Sequence, residues 1–304
     1  MKMTLEELRR KLDGIDRGIL EQVAERQATI REIALVKQST GFPLRDFRRE
    51  RQVLEGAAAN ARSIGISPRV AENIMRQLIR YSLTVQERDG ISAHRKGNGQ
   101  RALVIGGAGK MGNWFAQFMY SQGFDVEVSD PSPSPADLPH VDWRAGALDH
   151  DFIVVATPMS RTNPILEELA ARRPTGVVFD LASLKSPLRS GLQALRDAGV
   201  RVTSLHPMYG PDIELLAGHH VVFVDLGAGD ALARARSLFD PTMAAQVVLE
   251  MDAHDRMMAY ILGLSHAVNI AFFTAAAGSG QTASQLLEIS GTTFTAQFLS
   301  LIHI

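Results

Sequence analysis

At 304 residues the sequence is long for one domain and comfortable for two or three. Its 45% hydrophobic content, with no long uncharged run, reads as a soluble chain with a real core and argues against a membrane partner; the absence of cysteine excludes disulfides and cysteine metal sites. The net charge of −1 hides an asymmetry, since residues 1–100 carry 19 Lys+Arg against 13 Asp+Glu and the remainder 13 against 20. That basic end has no Lys/Arg run and almost no aromatic residues to stack bases, which excludes nucleic acid and points to a small polyanionic substrate. The charged N-terminus lacks the apolar segment of an export signal, so the expected location is cytoplasmic.

From Thr4 to Thr40 there is no proline, and Leu5, Leu8, Leu12, Ile15 and Ile19 form an apolar stripe at helical spacing, with Thr4 and Glu7 as a capping box. A helix of some 35 residues is roughly 50 Å long, far beyond the roughly 13 Å radius of gyration of a compact 100-residue domain, so its stripe predicts an intertwined homodimer. Gly41-Phe-Pro43 ends it, and further helices are predicted from about Asp46 to Ile64 and from Ser67, with Pro68 in the first turn, to Arg88. Polar residues interrupt the pattern. Arg26 falls where the stripe should be apolar, and Lys37, 11 residues on, lies about 20° away around the helix. Arg9 is about 100° off that face and suits a partner's pocket. Asp46, Arg49 and Glu50 share a face of the second helix, as Ser82 and Gln86 do on the third. Burying Arg and Lys without an anion is costly, so these groups predict a pocket for one.

Through Leu8-Arg9, Ala24-Glu25-Arg26, Val36-Lys37, Arg45-Asp46-Phe47-Arg48-Arg49-Glu50 and Ser82-Leu-Thr-Val-Gln86, residues 5–88 resemble the all-helical chorismate mutases. The resemblance implies three helices per chain in an interlocked dimer. Arg9, from the partner, and Arg26 would hold the two carboxylates of chorismate, and Lys37 and Gln86 would donate to its ether oxygen. Glu50 would bind the ring hydroxyl, with Asp46, Arg49 and Ser82 supporting the pocket. Such residue types suit a pericyclic rearrangement, which needs a folded conformer and donors aimed at developing charge.

Residues 91–100 are aperiodic and polar and read as a linker, separating a helical domain over 1–90 from a second domain over 101–250. That domain opens on an apolar strand, Ala102 to Gly106. A glycine turn follows, Gly107-Ala-Gly109-Lys110-Met111-Gly112, then a helix to Gln122 with Trp114, Phe115, Phe118 and Met119 on its inner face, and a second strand ending at Asp130. The G-x-G-x-x-G spacing in this context predicts a dinucleotide site in which Asp130 accepts from ribose hydroxyls and disfavours a 2′-phosphate, so that NAD is the cofactor. Strands are then predicted at 152–156, 177–181, 200–205, 221–224 and 246–249, the pattern of a Rossmann-type doubly wound α/β sheet. Ligands bind such sheets beyond the C-terminal strand ends, where Thr157, Ser183 and His206 fall; His206, followed by Pro207, is the strongest acid–base candidate. No His/Asp/Glu cluster has metal-ligand spacing, so no metal is predicted.

Through Val104-Ile-Gly-Gly-Ala-Gly-Lys-Met-Gly112, Asp180-Leu-Ala-Ser-Leu-Lys185 and Leu205-His-Pro-Met-Tyr-Gly-Pro-Asp212, this domain resembles the prephenate dehydrogenases, and the whole chain resembles the bifunctional chorismate mutase/prephenate dehydrogenases. The resemblance implies that His206 deprotonates the ring hydroxyl of prephenate as hydride passes to NAD and CO2 is lost, with Ser183 nearby. It makes tyrosine a candidate inhibitor and arogenate the alternative substrate, the helical domain then being either a mutase or a ligand-sensing regulatory domain. Residues 251–304 are predicted helical, and the resemblance implies that they form a dimer interface and close the substrate pocket. There His254 reads as an exposed polar residue and His266 as a weak site candidate. The family carries an arginine for a prephenate carboxylate where Thr295 stands here, and the sequence reads as C-terminally shortened, with a closing Leu301-Ile-His-Ile304 of doubtful origin.

Overall fold

The computed structural model describes residues 3–40, 45–93, 97–133 and 137–299, so the predicted helix stop at Gly41-Phe-Pro43, residues 94–96 of the predicted linker and the closing four residues lie outside the described residues. The chain divides into a helical body, residues 1–94 with the short segments 214–218 and 240–244, and a sheet body comprising the rest.

The helical body is built from α1 (Leu5–Thr40), α2 (Phe47–Ser63) and α3 (Pro68–Ala93). Thr4 and Glu7 close the predicted capping box, the Thr4 N–H donating to Glu7 at 2.7 Å and the Glu7 N–H to the Thr4 hydroxyl at 3.3 Å. Helix α3 outruns its predicted end at Arg88 and enters the stretch read as linker, because its last turns still bury Ile91. The predicted stripe on α1 is left uncovered by the described residues, since Leu5, Leu8, Leu12, Ile15 and Ile19 are 49–63% exposed. Glu87 of α3 is buried and accepts two backbone N–H groups, from Leu216 and Met243, each at 2.6 Å.

The sheet body is α/β. Among the described residues its seven strands are β1 (Arg101–Ile105), β2 (Asp125–Ser129), β3 (Phe152–Val155), β4 (Val177–Asp180), β5 (Arg201–Pro207), β6 (His220–Val224) and β7 (Ala245–Leu249), in the order β2-β1-β3-β4-β5-β6-β7. All neighbouring pairs are parallel except β5–β6. Helices α4 (Lys110–Ser121), α5 (Met159–Arg172), α6 (Arg189–Asp197) and α7 (Ala231–Ser237) join the strands, which explains why β3 and β4 are buried along their whole length as unbroken apolar runs. Strand β5 is longer than the predicted 200–205: pairing with β6 sets His206 opposite Val222 and Pro207 opposite Val221, so His206 sits within a strand, not beyond its end.

After β7 the chain is helical again, in α8 (Met251–Met258), a π-helical turn (Ala259–Leu264), α9 (Ser265–Gly278), α10 (Ala283–Glu288) and α11 (Thr292–Leu299). Here one expectation fails: from Met257 to Leu287 there is no Asp, Glu, Lys or Arg. The helical run Met251–Gly278, 28 residues long, contains an 18-residue window with a mean hydropathy of 1.5, of which only 6% is buried, so it is long and apolar enough to cross a membrane by length and composition. The misreading came from weighing apolar content over the whole chain, which averages this segment away.

Candidate active sites

In the helical body, α1 and α3 bring together Arg26 and Ser82. The Arg26 guanidinium donates to the Ser82 hydroxyl at 2.5 Å and to the Leu78 carbonyl at 3.2 Å, and Ser82 donates to that same carbonyl at 2.7 Å. Gln27, which sequence reasoning passed over, is buried and also donates to Ser82, at 3.2 Å, while its side-chain oxygen has no partner among the described residues. Gln27 lies about 100° around α1 from Arg26, off the apolar stripe, so the stripe carried no signal for it. Partial burial lowers the pKa of Arg26 from its ordinary value, as desolvation penalises the cation. Gln86 is buried and Lys37 half-buried.

Other predicted residues stand apart. Asp46 is the N-cap of α2 and accepts the Arg49 N–H at 2.9 Å; it precedes the helix, so it shares no helical face with Glu50. The Arg49 side chain is exposed and reaches Gln52, and Arg9 is exposed. Glu50 is held in a bidentate pair by Arg45, at 2.9 and 3.2 Å, on the wall of a cavity of about 250 Å³ that Arg76, Arg80, Leu54 and Leu83 also line.

In the sheet body the glycine turn is shaped by contacts no side chain could share. The left-handed residue is Gly106 (φ +89°), one position before the motif, and its N–H is held by Ser129. A Cβ on Gly107 would lie 2.4 Å from Val128, and one on Gly112 only 2.1 Å from the Gly106 carbonyl oxygen. The tight turn thus belongs to Gly106, and Gly107 serves close packing. Gly109 is exposed at the N-cap of α4, where Lys110, Met111 and Gly112 open the helix with N–H groups available to an anion. Asp130 follows β2 and braces the turn, accepting the Ala108 N–H at 3.2 Å and the Ser132 N–H at 2.9 Å; a carboxylate has about four acceptor positions, which leaves two for a ligand. Thr157, after β3, bonds Thr162 at the start of α5. The residues present therefore fit a dinucleotide.

At the C-terminal ends of β4 and β5 lies a buried polar cluster. Asp180 is fully buried and accepts from the Lys185 ammonium at 2.8 Å, from the Ala182 N–H and from the Ser204 hydroxyl. Lys185, equally buried, also donates to the Leu205 carbonyl at 2.7 Å, and desolvation lowers its pKa. Next to this pair His206, 5% exposed, has its pKa pushed down to about 3, mainly by burial and then by the nearby Lys185 charge, so the ring is neutral near pH 7. Its Nδ1 lies 3.0 Å from Nε2 of His254 on α8, and Nδ1 of His254 lies 2.7 Å from Asp255. Asp255 also accepts the backbone N–H groups of Lys185 and Ser186 and the Ser186 hydroxyl, and these donors hold its carboxyl down at about 2.

His254 is wholly buried, which overturns its reading as an exposed helix residue. The residue types were visible in Asp252-Ala-His-Asp255, but their direction depends on how α8 packs. Ser183 is exposed in the loop after β4, where Lys185 and Ser186 make the bonds to Asp180 and Asp255. His266 is exposed on α9, and Thr295 on α11 bonds Ser290 at 2.7 Å.

Residues 8–87 match the family chorismate mutase type II, and residues 138–248 match prephenate dehydrogenase, nucleotide-binding domain, a span that begins after the glycine turn. The chain is 27% identical to the T-protein of Enterobacter agglomerans over 95% of its length and 75% of that protein's. It is also 27% identical to the T-protein of Haemophilus influenzae, over 86% of its length and 67% of that protein's. Among solved structures, the prephenate dehydrogenase of A. aeolicus in complex with hydroxyphenyl propionate and NAD+ superposes with a TM-score of 0.53 at 18% identity, covering 66% of this chain and 77% of that one; the likeness is one of fold.

Proposed function

The chain joins a chorismate mutase to a prephenate dehydrogenase, and from that premise we propose that it rearranges chorismate to prephenate and then oxidatively decarboxylates prephenate to 4-hydroxyphenylpyruvate, toward tyrosine. The observation that carries this reading is the pair of family regions in one chain, the product of the first reaction being the substrate of the second.

In the helical body Arg26, oriented by Ser82, takes one substrate carboxylate and Arg9 of a second copy the other. Lys37 and Gln86 donate to the ether oxygen as negative charge develops there, and Glu50 binds the ring hydroxyl, exchanging Arg45 for substrate. Asp46 and Arg49 fix the start of α2. None of these groups acts as nucleophile or base, which suits a rearrangement that only needs orientation and charge stabilisation. In the sheet body Gly107, Gly109, Lys110, Met111 and Gly112 receive the pyrophosphate, Asp130 the ribose, and Thr157 lines the approach. Bound NAD supplies the hydride acceptor. His206 takes the proton of the ring hydroxyl at Nε2, the ring nitrogen not engaged by His254, with Ser183 at the mouth of the site.

The reading includes a homodimer in the cytoplasm. The uncovered stripe on α1, a helix about 54 Å long, and the apolar helices after β7 both supply faces for a second copy. A coupled assay tests the whole proposal: chorismate loss and NADH formation are followed separately, with arogenate as competing substrate and tyrosine as inhibitor, and light scattering gives the mass. Chorismate turnover without NADH would leave only the mutase. A monomeric chain that sediments with lipid vesicles would assign the C-terminal run to a bilayer.

A further inference from the structure

We propose that His254 and Asp255 form a positioning pair that fixes the tautomer of His206 and thereby decides which of its ring nitrogens can accept a proton. The proposal rests on the dehydrogenase reading of this site, but the hydrogen-bond chain beneath it does not. An ionised carboxylate only accepts, so the proton between Asp255 and His254 must sit on His254 Nδ1. A neutral imidazole carries one proton, which leaves His254 Nε2 as an acceptor. That atom lies 3.0 Å from His206 Nδ1, so the single proton of His206 must sit there. The lone pair of His206 is then at Nε2, and each step is forced by the one before it.

The surroundings keep the chain in this state. Burial lowers the pKa of both imidazoles, so each holds one proton near neutral pH. Three donors from Lys185 and Ser186 keep Asp255 ionised. The groups that bear on His206 are Lys185 from the loop after β4, itself paired with Asp180, and His254 and Asp255 from α8. A base so easily stripped of its proton needs help once it has accepted one. When Nε2 takes the hydroxyl proton, the O–H electron pair becomes the second bond of the new carbonyl as the carbon loses hydride to the nicotinamide. The imidazolium still donates through Nδ1 to His254, with the Asp255 charge one ring away. Loss of CO2 then leaves a phenolate, and the proton returns to that oxygen.

The test uses the full chain with 15N-labelled histidine, His206 being assigned by its absence in His206→Asn. Wild type should show His206 protonated at Nδ1. In Asp255→Asn the amide can donate to His254, which reverses the chain; His206 should move to the Nε2–H form, and kcat for NADH formation should fall on the order of 10²- to 10⁴-fold. KM values for prephenate and NAD should hold within about twofold and chorismate turnover should be unchanged, a split that general loosening does not produce. His254→Gln, which keeps an accepting oxygen, should retain far more turnover than His254→Leu. A wild-type His206 protonated at Nε2, or a normal kcat in both Asp255→Asn and His254→Leu, overturns the proposal. If Asp255→Asn does not fold, His254→Gln and His254→Leu decide, and equal losses in both overturn it. A wild type that forms no NADH sinks the dehydrogenase reading, while the nitrogen shifts still decide the pairing.

Discussion

Acid should unfold the sheet body through His206. In the unfolded chain this ring takes a proton below about pH 6.5; in the folded chain burial beside Lys185 defers that to about pH 3. Between these values the unfolded chain binds more protons, so stability is whole above about pH 6.5 and is lost as pH falls toward 3. For one group so shifted the loss between pH 7 and pH 5 is about 2 kcal/mol. His254 adds in the same direction, whereas Asp255, held at about pH 2, titrates below this range. Both tryptophans, Trp114 and Trp143, lie in the sheet body, so urea unfolding followed by tryptophan emission reports on it alone. The midpoint should fall between pH 7 and 5 at constant m-value, and His206→Asn, which cannot titrate, should remove about 2 kcal/mol of that dependence. Equal pH dependence in wild type and variant would refute the burial argument.

Gly112→Ala should weaken NAD binding by at least about tenfold, measured by nucleotide titration, since its Cβ would meet a backbone carbonyl at 2.1 Å and force the loop to shift. Asp130→Ser should erode the preference for NAD over NADP and loosen the loop by freeing the Ala108 N–H; a wild type that prefers NADP would show the role of Asp130 to be misassigned. Arg26→Ala and Gln86→Ala should each lower chorismate turnover at least about tenfold, from about 1.5–3 kcal/mol per hydrogen bond to a charged group, without touching NADH formation from added prephenate. Glu87→Ala should destabilise the helical body by about 1–3 kcal/mol, seen by circular dichroism, because one buried and one part-buried N–H group lose their acceptor; Glu87→Gln should lose less.

What could be foreseen follows from the range of the forces involved. The helices of the first body and the strand, turn and helix around Gly107 are specified by neighbours a few residues apart, so periodicity and glycine spacing sufficed. Arg26 beside Ser82 was visible because one helix face must be apolar or have a reason not to be. The pairing of His206 with His254, 48 residues away, is set by how α8 docks, and no local pattern carries it. Asp46 was misjudged because a cap and a first-turn residue look alike in sequence, and β5 ran long because its antiparallel partner lies further along the chain. The apolar helices after β7 were obscured by averaging composition over two dissimilar bodies.

Asp255 joins α8 to the loop after β4 through Lys185 and Ser186, while the glycine turn, Asp130 and His206 all precede α8 in the chain. Affinity for a nucleotide and competence for chemistry are consequently severable. With His206 as the proposed base, a sheet that ends at Leu249 would retain the first and lose the orientation of that base, so a lineage could keep the nucleotide site and exchange the helix that follows to acquire a different reaction.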